Sequence, residues 1–298
     1  MRQQAIAATV LAAVSCAPAA AQQDMSAVEI RAVEIRPGVA VLFGNGGNIG
    51  VSHGEDGTIL VDDQFAPLTG KIQAAVAGLG ASPTKFLINT HWHFDHAGGN
   101  ENFGKAGAVI FAHDNVRVRL AEGGAVAGNP SPPAPPEALP VVTYDDGVTF
   151  HVNGDEIDVK FFGGGHTDGD SVIFWRKANV LHTGDMFIST GGLPFVDLSS
   201  GGNVEHLLGS LGQTIAMIND ETVVIPGHGE LARRADIIAF RTMIVTAVER
   251  VKALKDAGRS LEQAKAAKPL DGLASAQGFF PDDLFVESIW GSLEAHGH

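Results

Sequence analysis

Short apolar runs separated by turn residues dominate the first two thirds of the chain. The spacing of Leu68–Leu79, closed by Gly80, predicts a helix among them. The segment Gly44–Gly47 holds so many small residues that it predicts a mobile hairpin tip. The apolar runs themselves predict strands at Val39–Phe43, Ile59–Asp62, Phe86–Ile88, Val141–Val142, Ile157–Phe162, Val172–Trp175, Val180–Leu181 and Val223–Ile225.

The last third of the chain follows a helical period instead. Asn203 is predicted to cap a helix over His206–Ile218. Ser260 and Gln263 form a capping box, and Pro281 is predicted to open a last helix. A long helix that ends at Gly258 is indicated by Ile237, Phe240, Ile244, Val248, Val251 and Leu254. Strands followed by helices favour an α/β fold of stacked sheets covered by helices.

Composition limits the function classes. The chain has 298 residues, of which 45% are apolar and 18% charged, as expected of a globular protein with a sizeable core. Its net charge of −14 would repel phosphate backbones, so no nucleic-acid partner is expected. The composition says nothing about the oligomeric state.

The first residues predict export. Residues 1–21 combine an early Arg2, an Ala-rich apolar run and the small residues Ala19–Ala21, which is typical of a cleaved signal peptide. The alternative is a lipoprotein signal with lipidated Cys16, the only cysteine. A periplasmic or secreted protein is therefore expected, with residues 22–298 as a single domain whose C-terminal helices start at about residue 231. No later run is long enough to span a bilayer, so no stable membrane insertion is expected.

One segment is rich in proline. Residues 121–140 hold six of the 14 prolines and several glycines, which predicts a loop rather than a packed element. The pattern leaves open whether this loop is a flexible insert or a lip over a binding site, and it favours the insert.

Candidate metal ligands follow four predicted strands. Flanking glycines at three of these strand ends allow the backbone to turn sharply and approach an ion closely. A single histidine beside a glycine is usually structural, whereas seven imidazoles and carboxylates at strand ends indicate a metal site. The seven residues are His91, His93, Asp95, His96, His166, Asp185 and His228.

These motifs resemble the metallo-β-lactamase superfamily. The similarity covers about residues 38–230 and lies in His91-x-His93-x-Asp95-His96, His166 in Gly-His-Thr-Asp-Gly-Asp, Asp185 in Thr-Gly-Asp and His228 in Pro-Gly-His-Gly. The resemblance implies an αββα sandwich with a dinuclear site at one edge of the sheets. It also assigns His91, His93 and His166 to the first metal and Asp95, His96 and His228 to the second, with Asp185 bridging the two.

The implied site suits hydrolysis of a small molecule. Three imidazoles with an open fourth position are typical of catalytic zinc, and two metals can share a hydroxide that attacks a carbonyl. Asp95 would orient this hydroxide and carry its proton to the leaving group. Asn203 is a candidate substrate contact, although a helix cap explains it equally well. Asp168 and Asp170 are candidates to orient the metal-binding imidazoles.

The chain departs from the di-zinc β-lactamases that use a cysteine ligand, because Asp185 stands in place of that cysteine. A carboxylate is harder than a thiolate, so manganese or iron could replace the two zinc ions. No Lys or Arg occurs between Lys177 and Arg233 to bind a β-lactam carboxylate, although the second metal could bind it, and weak β-lactam hydrolysis is expected.

Two alternatives to β-lactam hydrolysis stay open, one among the hydrolases and one among the oxidoreductases. Lactonases and thioesterases of the superfamily share the His/Asp ligand set. Ile188 differs from the tyrosine of the acyl-homoserine lactonases, and export disfavours glutathione thioesters. A mononuclear iron oxidoreductase is the alternative from another class, but the complete second set of ligands argues against it.

Overall fold

The computed structural model describes residues 24–126, 128–275, 278 and 280–295. The predicted signal peptide and Cys16 lie outside these residues. The strands of the two large sheets and one hairpin are β1 (Arg31–Arg36), β2 (Val39–Phe43), β3 (Ile49–Gly54), β4 (Gly57–Val61), β5 (Thr84–Ile88), β6 (Val109–His113), β7 (Gly124–Val126), β8 (Asn129–Ser131), β9 (Val142–Tyr144), β10 (Gly147–Val152), β11 (Asp155–Phe161), β12 (Ser171–Trp175), β13 (Val180–His182), β14 (Val223–Ile225) and β15 (Ala232–Arg233).

The helices flank these sheets. They are α1 (Thr69–Gly78), α2 (Phe94–Ala97), α3 (Asn100–Lys105), α4 (Asp114–Glu122), α5 (Val204–Met217), α6 (Arg234–Asp256), α7 (Leu261–Ala266) and α8 (Asp282–Ala295). Within the described part of the chain, no helix has the length and apolar character needed to cross a membrane.

Both sheets are mixed. The first has the strand order β1-β2-β3-β4-β5-β6-β9 and is antiparallel up to β4, after which its strands are parallel. The second has the order β10 to β15, and β13 and β14 are its parallel pair. Parallel neighbours end at the same sheet edge, which brings together the loops that follow β4 and β5, and likewise those that follow β13 and β14.

The fold has four layers, in which the two sheets lie between two layers of helices. Val61, Ile88, Ile157, Trp175 and Ile225 belong to the apolar core that joins strands of both sheets. α1 and α3 cover the outer face of the first sheet, and α5, α6 and α8 cover that of the second. This αββα sandwich confirms the fold class that the resemblance implied.

The predicted helices are largely correct. α1 and α6 match the apolar periodicity. Asn203 caps α5 by accepting hydrogen bonds from the backbone of Glu205 and His206 at 2.8 and 3.1 Å. The Ser260/Gln263 capping box opens α7. Each was predicted from a local pattern that the tertiary structure leaves unchanged.

One prediction about a loop was wrong. Residues 121–140 are not one unstructured loop, because α4 runs to Glu122 and β7 and β8 form a hairpin whose Val126 is buried. The mobility of the Gly44–Gly47 segment stays a prediction, and hydrogen bonds hold its last residue. Gly47 N donates to Asp95 O at 3.0 Å, and Gln64 Nε2 donates to Gly47 O at 2.7 Å.

Candidate metal centre

All seven predicted ligands meet at one edge of the sandwich. His91 and His93 lie in the loop after β5, and Asp95 and His96 lie in α2, which begins at once. The other three follow β11, β13 and β14, and are His166, Asp185 and His228. Their donor atoms form three overlapping groups within which all distances are at most 4.8 Å: His91, His93 and His166; His91, His96 and Asp185; and Asp95, His96 and His228.

The first group presents converging lone pairs. His93 Nε2 lies 3.0 Å from Asp197 Oδ2, and His166 Nδ1 lies 2.7 Å from Phe195 O. Carboxylate and carbonyl oxygens accept hydrogen bonds, so both of these ring nitrogens carry the proton. His93 Nδ1 and His166 Nε2 therefore face each other at 2.9 Å as acceptors. Such a pair needs a cation or a shared proton between its lone pairs.

His91 completes this group. Thr90 Oγ1 donates its one proton to Asp62 Oδ2 at 2.8 Å, so it must accept from His91 Nδ1 at 2.9 Å. The lone pair is then on His91 Nε2, which is buried and has no hydrogen-bond partner among the described residues. Burial, reinforced by the neighbouring imidazoles, holds the pKa of His91 well below its ordinary value. Burial likewise lowers the pKa of His166 to about 4.

The second group mixes carboxylates and imidazoles. His228 Nε2 lies 3.2 Å from Asp95 Oδ2 and 3.4 Å from His96 Nε2. Burial opposes a charge on either ring, but the carboxylates outweigh it. They raise the pKa of His96 well above its ordinary value and that of His228 to about 9. Negative charge is therefore concentrated here, as a cation site requires.

Asp185 lies between the two groups. One carboxylate oxygen is 3.1 Å from His96 Nε2, and the other is 3.4 Å from His228 Nε2 and 3.7 Å from His166 Nε2. Although burial alone would raise it, the charges of His228 and His96 hold the pKa of Asp185 well below its ordinary value. A Cβ atom on Gly227 would fall 2.0 Å from Asp185 Oδ1, so only glycine allows this approach.

Two buried carboxylates that the sequence analysis missed orient the imidazoles. Asp62 Oδ2 accepts from His96 Nδ1 at 2.7 Å, and Asp197 accepts from His93. Asp62 adopts a left-handed backbone with φ of 66° and is fully buried. Its signal in the sequence was the pair Asp62–Asp63 at the end of an apolar strand, where a carboxylate must find a partner.

The predicted supporting residues have other partners. Asp168 binds Arg119 at 2.6 and 2.7 Å rather than an imidazole. Asp170 accepts from the backbone and hydroxyl of Thr167 and so braces the His166 loop. Asn203 is committed to capping α5 and does not line the cavity described below, so we assign it no substrate contact.

A cavity of about 320 Å³ opens onto the centre. Five of the seven predicted ligands line it, and their neighbours are mainly apolar side chains. Val126 and Asn129 of the β7–β8 hairpin belong to its wall, so the proline-rich segment does contact the site. The volume is near the lower end of the ~300–1,000 Å³ typical of ligand pockets, which suits a small molecule.

The residues present fit divalent metal ions. Buried imidazole lone pairs converge in one group, carboxylates are held ionised in the other, and outer carboxylates fix the rings, as in protein metal sites. His91, His93 and His166 would hold one ion. Asp95, His96 and His228 would hold a second, with Asp185 within reach of both.

Comparison with known proteins agrees with this geometry. Residues 42–228 match the profile of the metallo-beta-lactamase superfamily. The chain is 26% identical over 148 residues to metallo-beta-lactamase IND-1 of Chryseobacterium indologenes, an alignment that covers 50% of this chain and 56% of that protein. It is 29% identical over 168 residues to the probable metallo-hydrolase YqgX of Bacillus subtilis (strain 168), covering 53% of this chain and 74% of that one.

A solved structure shows the same fold. The metallo-beta-lactamase from Pontibacter korlensis superposes with a TM-score of 0.62 at 18% identity, over 73% of this chain and 99% of that chain. The alignment with IND-1 spans little more than half of that relative. These matches therefore indicate a common family and do not identify a substrate. Because the superfamily profile matches well over half of its residues, the chain belongs to the metallo-β-lactamase superfamily.

Proposed function

We propose that this protein is a hydrolase that uses two divalent metal ions, most simply zinc, to cleave a small carbonyl compound. The observation that carries the proposal is the pair of donor groups, joined by Asp185, at the base of a cavity. Two bound ions supply a nucleophilic water near neutral pH and stabilise negative charge on the reacting carbonyl.

The protein's own residues perform the remaining steps. Asp95 lines the cavity and is partly exposed, so its carboxylate can accept the proton of the attacking water and pass it to the leaving group. Asp62 and Asp197 keep His96 and His93 in the orientation and tautomer that ligation needs. Ring opening of β-lactams is one expected activity, and it should be weak because no Lys or Arg lies between Lys177 and Arg233.

Metal content and hydrolysis test this function together. The protein would be stripped with a chelator, loaded with zinc, manganese or iron(II), and assayed with a chromogenic cephalosporin and an aryl ester. We expect two metal equivalents and metal-dependent turnover. His91→Ala and His166→Ala should abolish turnover, whereas the exposed His151→Ala is a matched control without effect.

The outcomes separate the alternatives. If the protein instead binds a single iron and its activity depends on oxygen, it is an oxidoreductase and not a hydrolase. The complete group of Asp95, His96 and His228 favours two ions. More than a tenth of wild-type turnover in His91→Ala, with unchanged metal content, would show that the ligand assignment is wrong.

A further inference from the structure

Two pairs of phenylalanines line the cavity and are here termed the aromatic wall. Phe195 and Phe280 stack with ring centroids 4.3 Å apart, and Phe65 and Phe94 pack at 6.0 Å. Phe195 also lies 5.7 Å from the His166 ring, so this apolar surface reaches the proposed metal ligands. Val126, Ile188 and Leu193 extend it.

Part of the aromatic wall is exposed. The side chains of Phe94 and Phe280 are 52% and 37% exposed, and both line the cavity. Large apolar side chains grouped at the mouth of a cavity are unfavourable in water and mark a surface that an apolar ligand covers. Asn45 and Asn129 are the uncharged polar residues of the lining.

None of the described residues that line the cavity is Lys or Arg. Every lining residue belongs to one of six stretches of sequence that contain no Lys or Arg, and all 20 basic residues lie outside these stretches. The stretches are 37–70, 86–104, 120–159, 161–175, 178–232 and 269–298. In this lining, a substrate carboxylate, sulfate or phosphate would find none of the Arg or Lys partners that usually bind such groups. The net charge of −14 would also repel it at longer range.

We infer that the preferred substrates are uncharged esters or lactones with an alkyl or aryl group that packs on the aromatic wall. The inference rests on the proposed function, because it places the carbonyl at the metal centre. Apolar contact supplies the binding, and each methylene buried should raise kcat/KM about fourfold until the cavity is filled. An anionic group at the far end of the same chain loses its hydration without gaining a partner.

Matched substrates that differ only in one terminal group test this inference. They are para-nitrophenyl hexanoate, which ends in a methyl group, and the para-nitrophenyl monoester of adipic acid, which ends in a carboxylate. We expect the neutral ester to have the higher kcat/KM, by at least about tenfold.

Variants locate the effect in the cavity. Phe280→Ala should lower kcat/KM for the hexanoate about tenfold, because it removes a stacked aromatic contact. Val141→Ala, an exposed apolar residue that does not line the cavity, is the matched control. Asn45→Lys adds a cation at the mouth and should raise the relative kcat/KM for the adipate monoester.

A binding measurement keeps this test independent of catalysis. Calorimetry on metal-free and zinc-loaded protein would compare N-benzylhexanamide with the monobenzylamide of adipic acid, neither of which is readily cleaved. Tighter binding of the neutral amide, weakened by Phe280→Ala, supports the inference even if no hydrolysis is found and the proposed function fails. Equal or tighter binding of the anionic amide to the metal-free protein, or preferred hydrolysis of the anionic esters, overturns it while metal-dependent hydrolysis stands.

Discussion

Replacing Asp62 by Asn isolates the contribution of a buried carboxylate to the metal centre. The carboxylate accepts three hydrogen bonds, from Thr90 N at 2.7 Å, Thr90 Oγ1 at 2.8 Å and His96 Nδ1 at 2.7 Å. Asn tolerates the left-handed backbone at this position, so the fold is not strained by the change. What changes is the hydrogen-bond chemistry.

The amide cannot accept all three donors. If its oxygen serves the Thr90 amide, its NH2 group faces Thr90 Oγ1 and His96 Nδ1. His96 must then give up its Nδ1 proton and carry it on Nε2, the nitrogen proposed to bind the second metal. The Thr90 hydroxyl also loses its acceptor, at a cost of about 1–3 kcal/mol in the free energy of unfolding.

We therefore expect Asp62→Asn to weaken binding of the second metal about 10–100-fold, the range typical of lost outer partners. Chelator competition measures each metal affinity, and urea unfolding of the metal-free protein measures stability. Asp158→Asn is the matched control, because Asp158 is also buried and accepts from Thr149 and Arg176 at 2.7 and 2.6 Å, but it is not part of the centre. Metal affinities within twofold of wild type in Asp62→Asn, or an equal loss in Asp158→Asn, would refute the reasoning.

Three further predictions follow from particular residues. Asp185→Ala should lose the second metal first, and Asp185→Cys should shift the metal preference towards zinc because a thiolate is a softer ligand than a carboxylate. Metal analysis of both variants at equal loading measures these effects. Full metal content in Asp185→Ala would contradict the assignment of Asp185 as a ligand. Burial raises the pKa of Asp158, but hydrogen bonds from Arg176 and Thr149 outweigh it and lower that pKa. This carboxylate therefore stabilises the fold above about pH 4 and loses that contribution as the pH falls further, so the difference in unfolding free energy between wild type and Asp158→Asn should shrink in acid. Mass spectrometry of a periplasmic extract should find a chain that begins near residue 22, and an intact Met1 or an acylated Cys16 would reject cleavage after Ala21.

Local sequence patterns predicted much of the fold. Asn203 caps α5, and the apolar repeat belongs to α6. Each feature acts within a single helix, so it can be recognised in the sequence without the tertiary structure. α4 was missed because its apolar residues are few. β6 was missed although four of its five residues are apolar, and its place between β5 and β9 is a property of the sheet. The prolines of residues 121–140 correctly indicated the absence of a long element but concealed the short β7–β8 hairpin.

The sequence by itself determined which side chains can bind metal, because ligand chemistry resides in the residue types and their glycine-flanked motifs. His91, His96 and Asp185 were named on that basis, and the structure brings them together. Only the tertiary structure decided their partners. Asp62 and Asp197 lie 34 and 104 residues from the imidazoles that they orient, and Phe280 reaches the cavity from beyond the family match. Contacts between residues so far apart depend on how the two sheets and the helices pack, and no local pattern contains that information.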